Sequence, residues 1–342
     1  TKIIYRLGAT IEHQPVKVHA VPPTDYLKWA RVCEHIIRHY NEGWANGLNL
    51  GVEYWEIWNE PELGGHQCWT GTPEEYCQFY ITVVTHLKEK FPHLKFGGPA
   101  CCSVYGDFAV QFLEALTADG RRVPLDFFSW HGYMRDPREG SKAANHLDAL
   151  LKKYGYDQTE SIYDEWNYVR DWLKIAESFI FMADERGAAF DAGMMCELQV
   201  SACDIANYYD AQTNFTGRWC GLFGNSSLGH GMATIVKAQK PYYAFKAFGE
   251  LNRLGTQVPA DIEEGNVFVC AAKGEDGEAV LLANFREDDC KVERVRVHFE
   301  GGHERYAVYK LDKAHNLEKC GEIADGELLT MSRYSVVLLM SE

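Results

Sequence analysis

The chain has 342 residues, 46% hydrophobic and 13% aromatic, with 49 acidic against 34 basic residues and a formal charge of −15, which gives room for a large core and an appendage but no clustered Lys and Arg for a nucleic-acid partner. No apolar run reaches the ~18 residues of a membrane span. The 11 Cys include no CxxC pair, which excludes a zinc ribbon or thioredoxin motif and points to reduced thiols and a cytoplasmic setting.

Residues 3–9 predict a short strand, and residues 24–40 carry apolar positions at helical spacing. A strand over 53–58 precedes a helix over 73–90, opened by Thr72-Pro73-Glu74-Glu75. Strands over 94–98 and 126–131 alternate with helices over 107–118 and 141–154. A strand over 161–166, a long helix from 171 to 187, a strand over 193–199, a long loop and a helix over 235–253 complete the series. Strand and helix in alternation predict a parallel sheet with crossover helices, and short apolar strands fit burial on both faces. Asn59-Glu60, His131, Glu165 and Asp210 fall at or beyond C-terminal strand ends. That favours an α/β fold of the (β/α)8 TIM-barrel type, whose sites lie on that rim. Such a barrel needs eight units and six are legible, so the first two βα units are expected to lie outside this sequence. After about residue 255 the period changes to two. A hairpin over 266–285 around Gly274-Glu275-Asp276-Gly277 and strands over 292–299, 304–311 and 335–340 predict a C-terminal antiparallel β-sandwich. The expected domains are an N-terminally incomplete catalytic barrel over 1–255 and an accessory sandwich over 256–342.

The strongest chemical signal is Trp55-Glu56-Ile57-Trp58-Asn59-Glu60-Pro61-Glu62. Proline stops the strand and leaves Glu60 at its mouth. A carboxyl beside Trp58 suits a general acid that protonates a glycosidic oxygen, and Asn59 suits a sugar 2-hydroxyl. A strand-end Glu paired with a nearby base is the bland alternative. The second signal is Tyr163-Asp164-Glu165-Trp166-Asn167. On a barrel the two strand ends converge, and two carboxylates about 5–5.5 Å apart are the retaining geometry. Adjacent strand residues face opposite ways, so only one of Asp164 and Glu165 is expected in the mouth; Glu165 is preferred.

WEIWNEPEL, KFGGPA, SWHGY and DEWN, in that order, resemble clan A glycoside hydrolases, most closely family 39, which includes β-xylosidases and α-L-iduronidases. The resemblance covers roughly 1–255 and implies a (β/α)8 barrel with a trailing β domain. It implies Glu60 as acid/base, Glu165 as nucleophile, Asn59 at the 2-hydroxyl, and His131 and Tyr133 lining the pocket. Where the family usually has Thr before the nucleophile, this chain has Asp164.

Trp166 beside Glu165, His13 after the first strand, and Asp210 and Trp219 in the long late loop complete the predicted substrate-binding set. For a uronide, Arg6, Arg135 and Arg218 are the cationic candidates. No HExxH or His-x-His is present, so neither metal nor cofactor is expected; His13, His66, His131 and His230 have no ligand spacing. The reading is a retaining exo-glycosidase of β-xylosidase type acting on carbohydrate. The alternatives are a non-catalytic carbohydrate-binding barrel, or an arabinosidase, β-glucosidase, β-galactosidase or iduronidase. Exposed sheet edges make association between copies a further expectation.

Overall fold

The structure, a computed structural model, describes residues 2–8, 20–63, 67–211, 221–225, 236–262, 265–300 and 302–341. The chain divides into two compact units. The first comprises Thr1–Gly132, Ala143–Glu165 and Ala202–Asn207; the second comprises Tyr133–Lys142, Trp166–Ser201 and Tyr208–Glu342.

Six strands form one sheet in chain order: β1 (Ile4–Leu7), β2 (Tyr54–Ile57), β3 (Lys95–Cys101), β4 (Phe127–Met134), β5 (Glu160–Tyr168) and β6 (Ile205–Tyr208). The β1–β2, β2–β3 and β3–β4 pairs are parallel. Between the strands run α1 (Tyr26–Asn41), α2 (Pro73–Lys90), α3 (Asp107–Thr117) and α4 (Pro137–Lys153). Strand and helix in turn around a parallel sheet is the architecture of an α/β barrel-like fold.

Local chemistry sets these boundaries. Asp25 caps α1 by accepting from Lys28 N at 2.9 Å. Thr72 and Glu75 form a reciprocal capping box at α2, with Thr72 Oγ1 accepting from Glu75 N at 3.2 Å and Glu75 Oε2 accepting from Thr72 N at 2.7 Å. Thr72→Ala is expected to destabilise this unit by about 1 kcal/mol, read as a lowered thermal midpoint; an unchanged midpoint would show that water replaces the cap. Gly97 is dictated by close approach: a Cβ there would lie 2.2 Å from Phe127 O and 2.5 Å from its ring. Tyr54, Phe127 and Ile162 form a buried cluster on the sheet, and Trp130 stacks on Tyr163 at 3.8 Å. After β2, Trp58 packs edge-on against Trp69 at 5.2 Å and tilted against Trp29 at 6.1 Å, with Phe79 completing the aromatic group.

The residues predicted as a strand over 193–199 are helical. They end α6 (Glu185–Leu198), and the sixth strand follows it. The predicted long helix from 171 breaks into a 3₁₀ turn (Trp172–Lys174) and α5 (Ile175–Met182), after which Asp184 caps α6. In the second unit a short pair, β7 (Phe223–Asn225) and β8 (Val236–Ala238), precedes α7 (Lys240–Leu254). That pair is already antiparallel, and β9 (Thr256–Val258) opens the antiparallel strands after α7. The division into compact units runs elsewhere: α5, α6 and α7 belong with the later strands, through contacts such as Phe190 on Phe285 at 5.4 Å. Those strands are β10 (Val267–Gly274), β11 (Gly277–Asn284), β12 (Glu293–Arg296), β13 (Arg305–Leu311), β14 (Asn316–Ala324), β15 (Leu328–Met331) and β16 (Ser335–Ser341). They make a six-stranded sheet in the order β14-β13-β16-β11-β10-β9 and a β12–β15 pair. Tyr306, Val308, Val337 and Leu339 of the large sheet share one buried cluster with Val297, Leu329 and Met331 from the small pair and its flank.

Candidate active site

The site is built from four strands of the first unit. Strand β1 is apolar apart from Arg6, and β2 apart from Glu56; their parallel register sets these two residues side by side. Arg6 Nε donates to Glu56 in a short ion pair. Its Nη2 lies 2.7 Å from Asp164 Oδ2, and its Nη1 3.2 Å from Glu165 Oε1. One guanidinium thus serves three carboxylates on two other strands. The diverging Nη groups of the fork reach both neighbours on β5. Arg6 is therefore committed to these partners rather than to a uronide.

Glu60 sits just past β2 on a turn of unusual backbone. Trp58 (φ 74°), Glu60 (φ 41°) and Ala100 (φ 54°) all occupy the left-handed region, which costs a non-glycine residue roughly 1–3 kcal/mol. The turn is held by Glu60 N donating to Ala100 O at 3.0 Å and Trp58 Nε1 donating to Cys68 O at 2.8 Å. Asn59 is fully buried, its Nδ2 3.7 Å from Cys68 Sγ and its Oδ1 without a hydrogen-bond partner among the described residues. Glu62 Oε1 accepts from Cys102 N at 2.6 Å, and burial pushes its carboxyl up to about 7.

His131, on β4, ties the two sides together. Its Nδ1 lies 2.7 Å from Glu60 Oε1; its Nε2 is 3.4 Å from Asp164 Oδ2, 3.6 Å from Glu165 Oε1 and 3.5 Å from Arg6 Nη2. Burial opposes its charged form, yet Asp164, Glu60 and Glu165 outweigh burial and hold it well above the usual imidazole range. Burial likewise pushes the Asp164 carboxyl up, and the charges of His131 and Arg6 overcome that and keep it below its ordinary value. Glu56, beneath them, is pushed up to about 7 by burial against the pull of Arg6.

Glu60, His131 and Glu165 each place one oxygen or nitrogen within 4.8 Å of the others. Asp164 is not in that set. The donor types would suit a metal ion, but Arg6 already fills the cation position at Glu165. Side-chain exposure is 16% at Glu60 and 10% at Glu165 against 1% at His131: the two glutamates retain an open face and the imidazole does not.

Tyr133, Trp166 and Asp210 belong to the second unit. There Tyr133 meets Trp172 edge-on at 5.3 Å. Trp166 is buried against Tyr208 at 5.1 Å and Phe245 at 6.0 Å, a packing position. Asp210 follows the cis Tyr209–Asp210 peptide. His13, His66, Arg218, Trp219 and His230 lie outside the described residues. Sequence reasoning gave no role to Glu56 and misjudged Arg6; the available signal was a single charge inside each of two apolar strands.

At the opposite strand ends of the first unit, a cavity of about 280 Å³ is lined by Lys95, Arg122, Asp126, Tyr156 and Glu160 among others. Its charges are largely spent on one another, as in Lys95–Glu160 at 2.6 Å, and it carries no comparable convergence of acid and base.

The model of glycosyl hydrolases family 39 matches residues 14–285. A β-xylosidase of Geobacillus stearothermophilus is 35% identical over 120 residues, 34% of this chain and 22% of that protein. The chain thus spans about a fifth of the length of that curated relative. Among solved structures, a glucosidase from Croceicoccus marinus superimposes with a TM-score of 0.76 at 22% identity, covering 99% of this chain and 78% of that one. A monomeric β-xylosidase from Caulobacter crescentus gives 0.69 at 15% identity, covering 94% and 75%. At these identities the structures speak to the fold.

Proposed function

Because the chain belongs to glycosyl hydrolase family 39, we propose that it is a retaining glycosidase of β-xylosidase type, with Glu60 as acid/base and Glu165 as nucleophile. The observation that carries this reading is the approach of the two carboxylates to within 4.8 Å, Glu60 just past β2 and Glu165 within β5. Retaining enzymes hold the pair about 5–5.5 Å apart, whereas inverting ones need about 6.5–9.5 Å to admit a water. Glu60 protonates the leaving oxygen while Glu165 attacks the anomeric carbon; Glu60 then takes a proton from the water that releases the sugar. Arg6 holds the Glu165 carboxylate in place. Asn59, whose Oδ1 has no partner among the described residues, suits the 2-hydroxyl. The activity of the similar β-xylosidase makes xylosides the first substrates to try, with arabinosides, glucosides and galactosides beside them.

We also read the complete fold as an eight-stranded barrel, two strands more than the six-stranded sheet described here, followed by a β-sandwich. The shared cluster between the large sheet and the β12–β15 pair supports the sandwich.

The test is covalent trapping. Incubation with a 2-deoxy-2-fluoroxylosyl donor is expected to add one sugar mass, and fragmentation of the labelled peptide to place it on Glu165. A label on Asp164 would reassign the nucleophile, and hydrolysis with no covalent species would sink the retaining mechanism.

A further inference from the structure

Asp164 precedes Glu165 on β5, yet it lies outside the set that converges with Glu60. Its oxygen is instead divided between Arg6 Nη2 at 2.7 Å and His131 Nε2 at 3.4 Å. His131, with a side chain 1% exposed, is faced by Glu60 at Nδ1 and by Asp164, Glu165 and Arg6 at Nε2; Glu62 also acts on it from the turn after β2, and Glu56 lies beneath Arg6 and Asp164.

This arrangement poses a definite choice of tautomer. A neutral imidazole carries one proton, and the bond at one nitrogen decides the state of the other. If Nε2 accepted from Arg6, its proton would sit on Nδ1 and be donated to an ionised Glu60, and the pair would hold no proton to deliver. If Nε2 carries a proton towards an anion, a second proton is shared between Nδ1 and Glu60, written as imidazolium–carboxylate or as imidazole–carboxylic acid. Two anions against one guanidinium face Nε2, and that guanidinium is itself drawn to Glu56, Asp164 and Glu165.

Resting on the assignment of Glu60 as acid/base, we propose that Asp164 is a positioning residue acting through His131: it holds a proton on Nε2, so that the proton shared by Nδ1 and Glu60 is the one delivered to the glycosidic oxygen. The protons balance over the cycle. In the first step the shared proton passes to the leaving oxygen as the glycosidic bond breaks and the bond from Glu165 to the anomeric carbon forms, leaving ionised Glu60 beside neutral His131. In the second, Glu60 takes a proton from water as the water oxygen bonds to that carbon and Glu165 departs, and the pair is restored. The elevated basicity of His131, in which Asp164 is the foremost anionic cause, agrees with this assignment.

The test compares wild type, Asp164→Asn and Asp164→Glu on phenyl and 2,4-dinitrophenyl β-xylosides across pH, with NMR titration of ¹⁵N-labelled histidine on the same folded proteins. In Asp164→Asn the alkaline limb of kcat/KM for the phenyl glycoside is expected to move down by about one pH unit or more. At neutral pH that substrate should lose about tenfold, whereas the dinitrophenyl substrate, which needs little acid assistance, should lose less than about threefold. The His131 titration should move down with the limb, and Asp164→Glu should return both towards wild type. Equal losses on both substrates with an unmoved limb, or an unmoved His131 titration, would overturn the proposal and leave Asp164 a structural partner of Arg6. If wild type hydrolyses no glycoside, the assignment of Glu60 falls and the proton delivery with it, a failure that the NMR titration separates from a failure of the Asp164–His131 pairing.

Discussion

Glu165→Ala lowers kcat on aryl xylosides by roughly 10⁴- to 10⁶-fold, the scale seen when a nucleophile is removed from a preorganised site, and millimolar azide restores much of the lost turnover. The vacated carboxylate volume lies beside Arg6, whose Nη1 loses the oxygen it held at 3.2 Å. A small anion is drawn to that guanidinium and placed where it attacks the anomeric carbon. Because azide takes the nucleophile's own side and no second displacement follows, the product is a glycosyl azide of inverted configuration, read directly by NMR. Rescue with retained configuration would mean that another carboxylate still forms the covalent species. Asp164, also on Arg6, would then be the residue to replace.

The counterpart at Glu60 has a different signature. Glu60→Ala is expected to cost about 10²- to 10⁴-fold on substrates with poor leaving groups, the usual contribution of a general acid. On dinitrophenyl glycosides, bond cleavage proceeds without the acid and hydrolysis of the glycosyl-enzyme becomes limiting. Azide speeds that second step, since it needs no general base, and the glycosyl azide carries retained configuration. Opposite stereochemistry from two variants of one protein is the decisive pattern. A uniform loss across leaving groups, with no azide product, would remove Glu60 from the acid/base role and leave it as the carboxylate that anchors His131.

Much of this architecture is legible in the sequence where local chemistry and periodicity agree. Helix α2 begins where Thr72, Pro73 and Glu75 announce it, and the strands ending near Glu60, His131 and Glu165 lie close to where short apolar runs put them. The misreading at 193–199 has a physical source. Almost every residue of α6 is buried, so its apolar run shows no helical stripe and matches a buried strand equally well. Gly193 sits where a Cβ would meet Phe268 at 2.9 Å and Pro137 at 3.0 Å. Strand β14 escaped notice for the opposite reason: at the edge of its sheet, it is exposed along most of its length and lacks an alternating apolar face. The network around Arg6 depends on the register between β1 and β2 and on contacts that reach β5, three strands beyond β2 in the sheet. No spacing along the chain encodes that, and only the isolated charge in each apolar strand hints at it.

The aromatic group behind the Asn-Glu-Pro turn makes the turn visible in solution. Trp58 is one residue from Asn59 and stands 5.2 Å from Trp69 and 6.1 Å from Trp29, with ring planes inclined at 88° and 56°. Indoles that close and that skewed couple their excited states and give paired bands of opposite sign in far-ultraviolet circular dichroism. Trp58 itself has left-handed backbone two residues before Glu60, so the optical signal arises in the same turn that presents Glu60. Any variant or condition that relaxes the turn dims this couplet before the helices melt, giving a spectral assay of site assembly that needs neither substrate nor label.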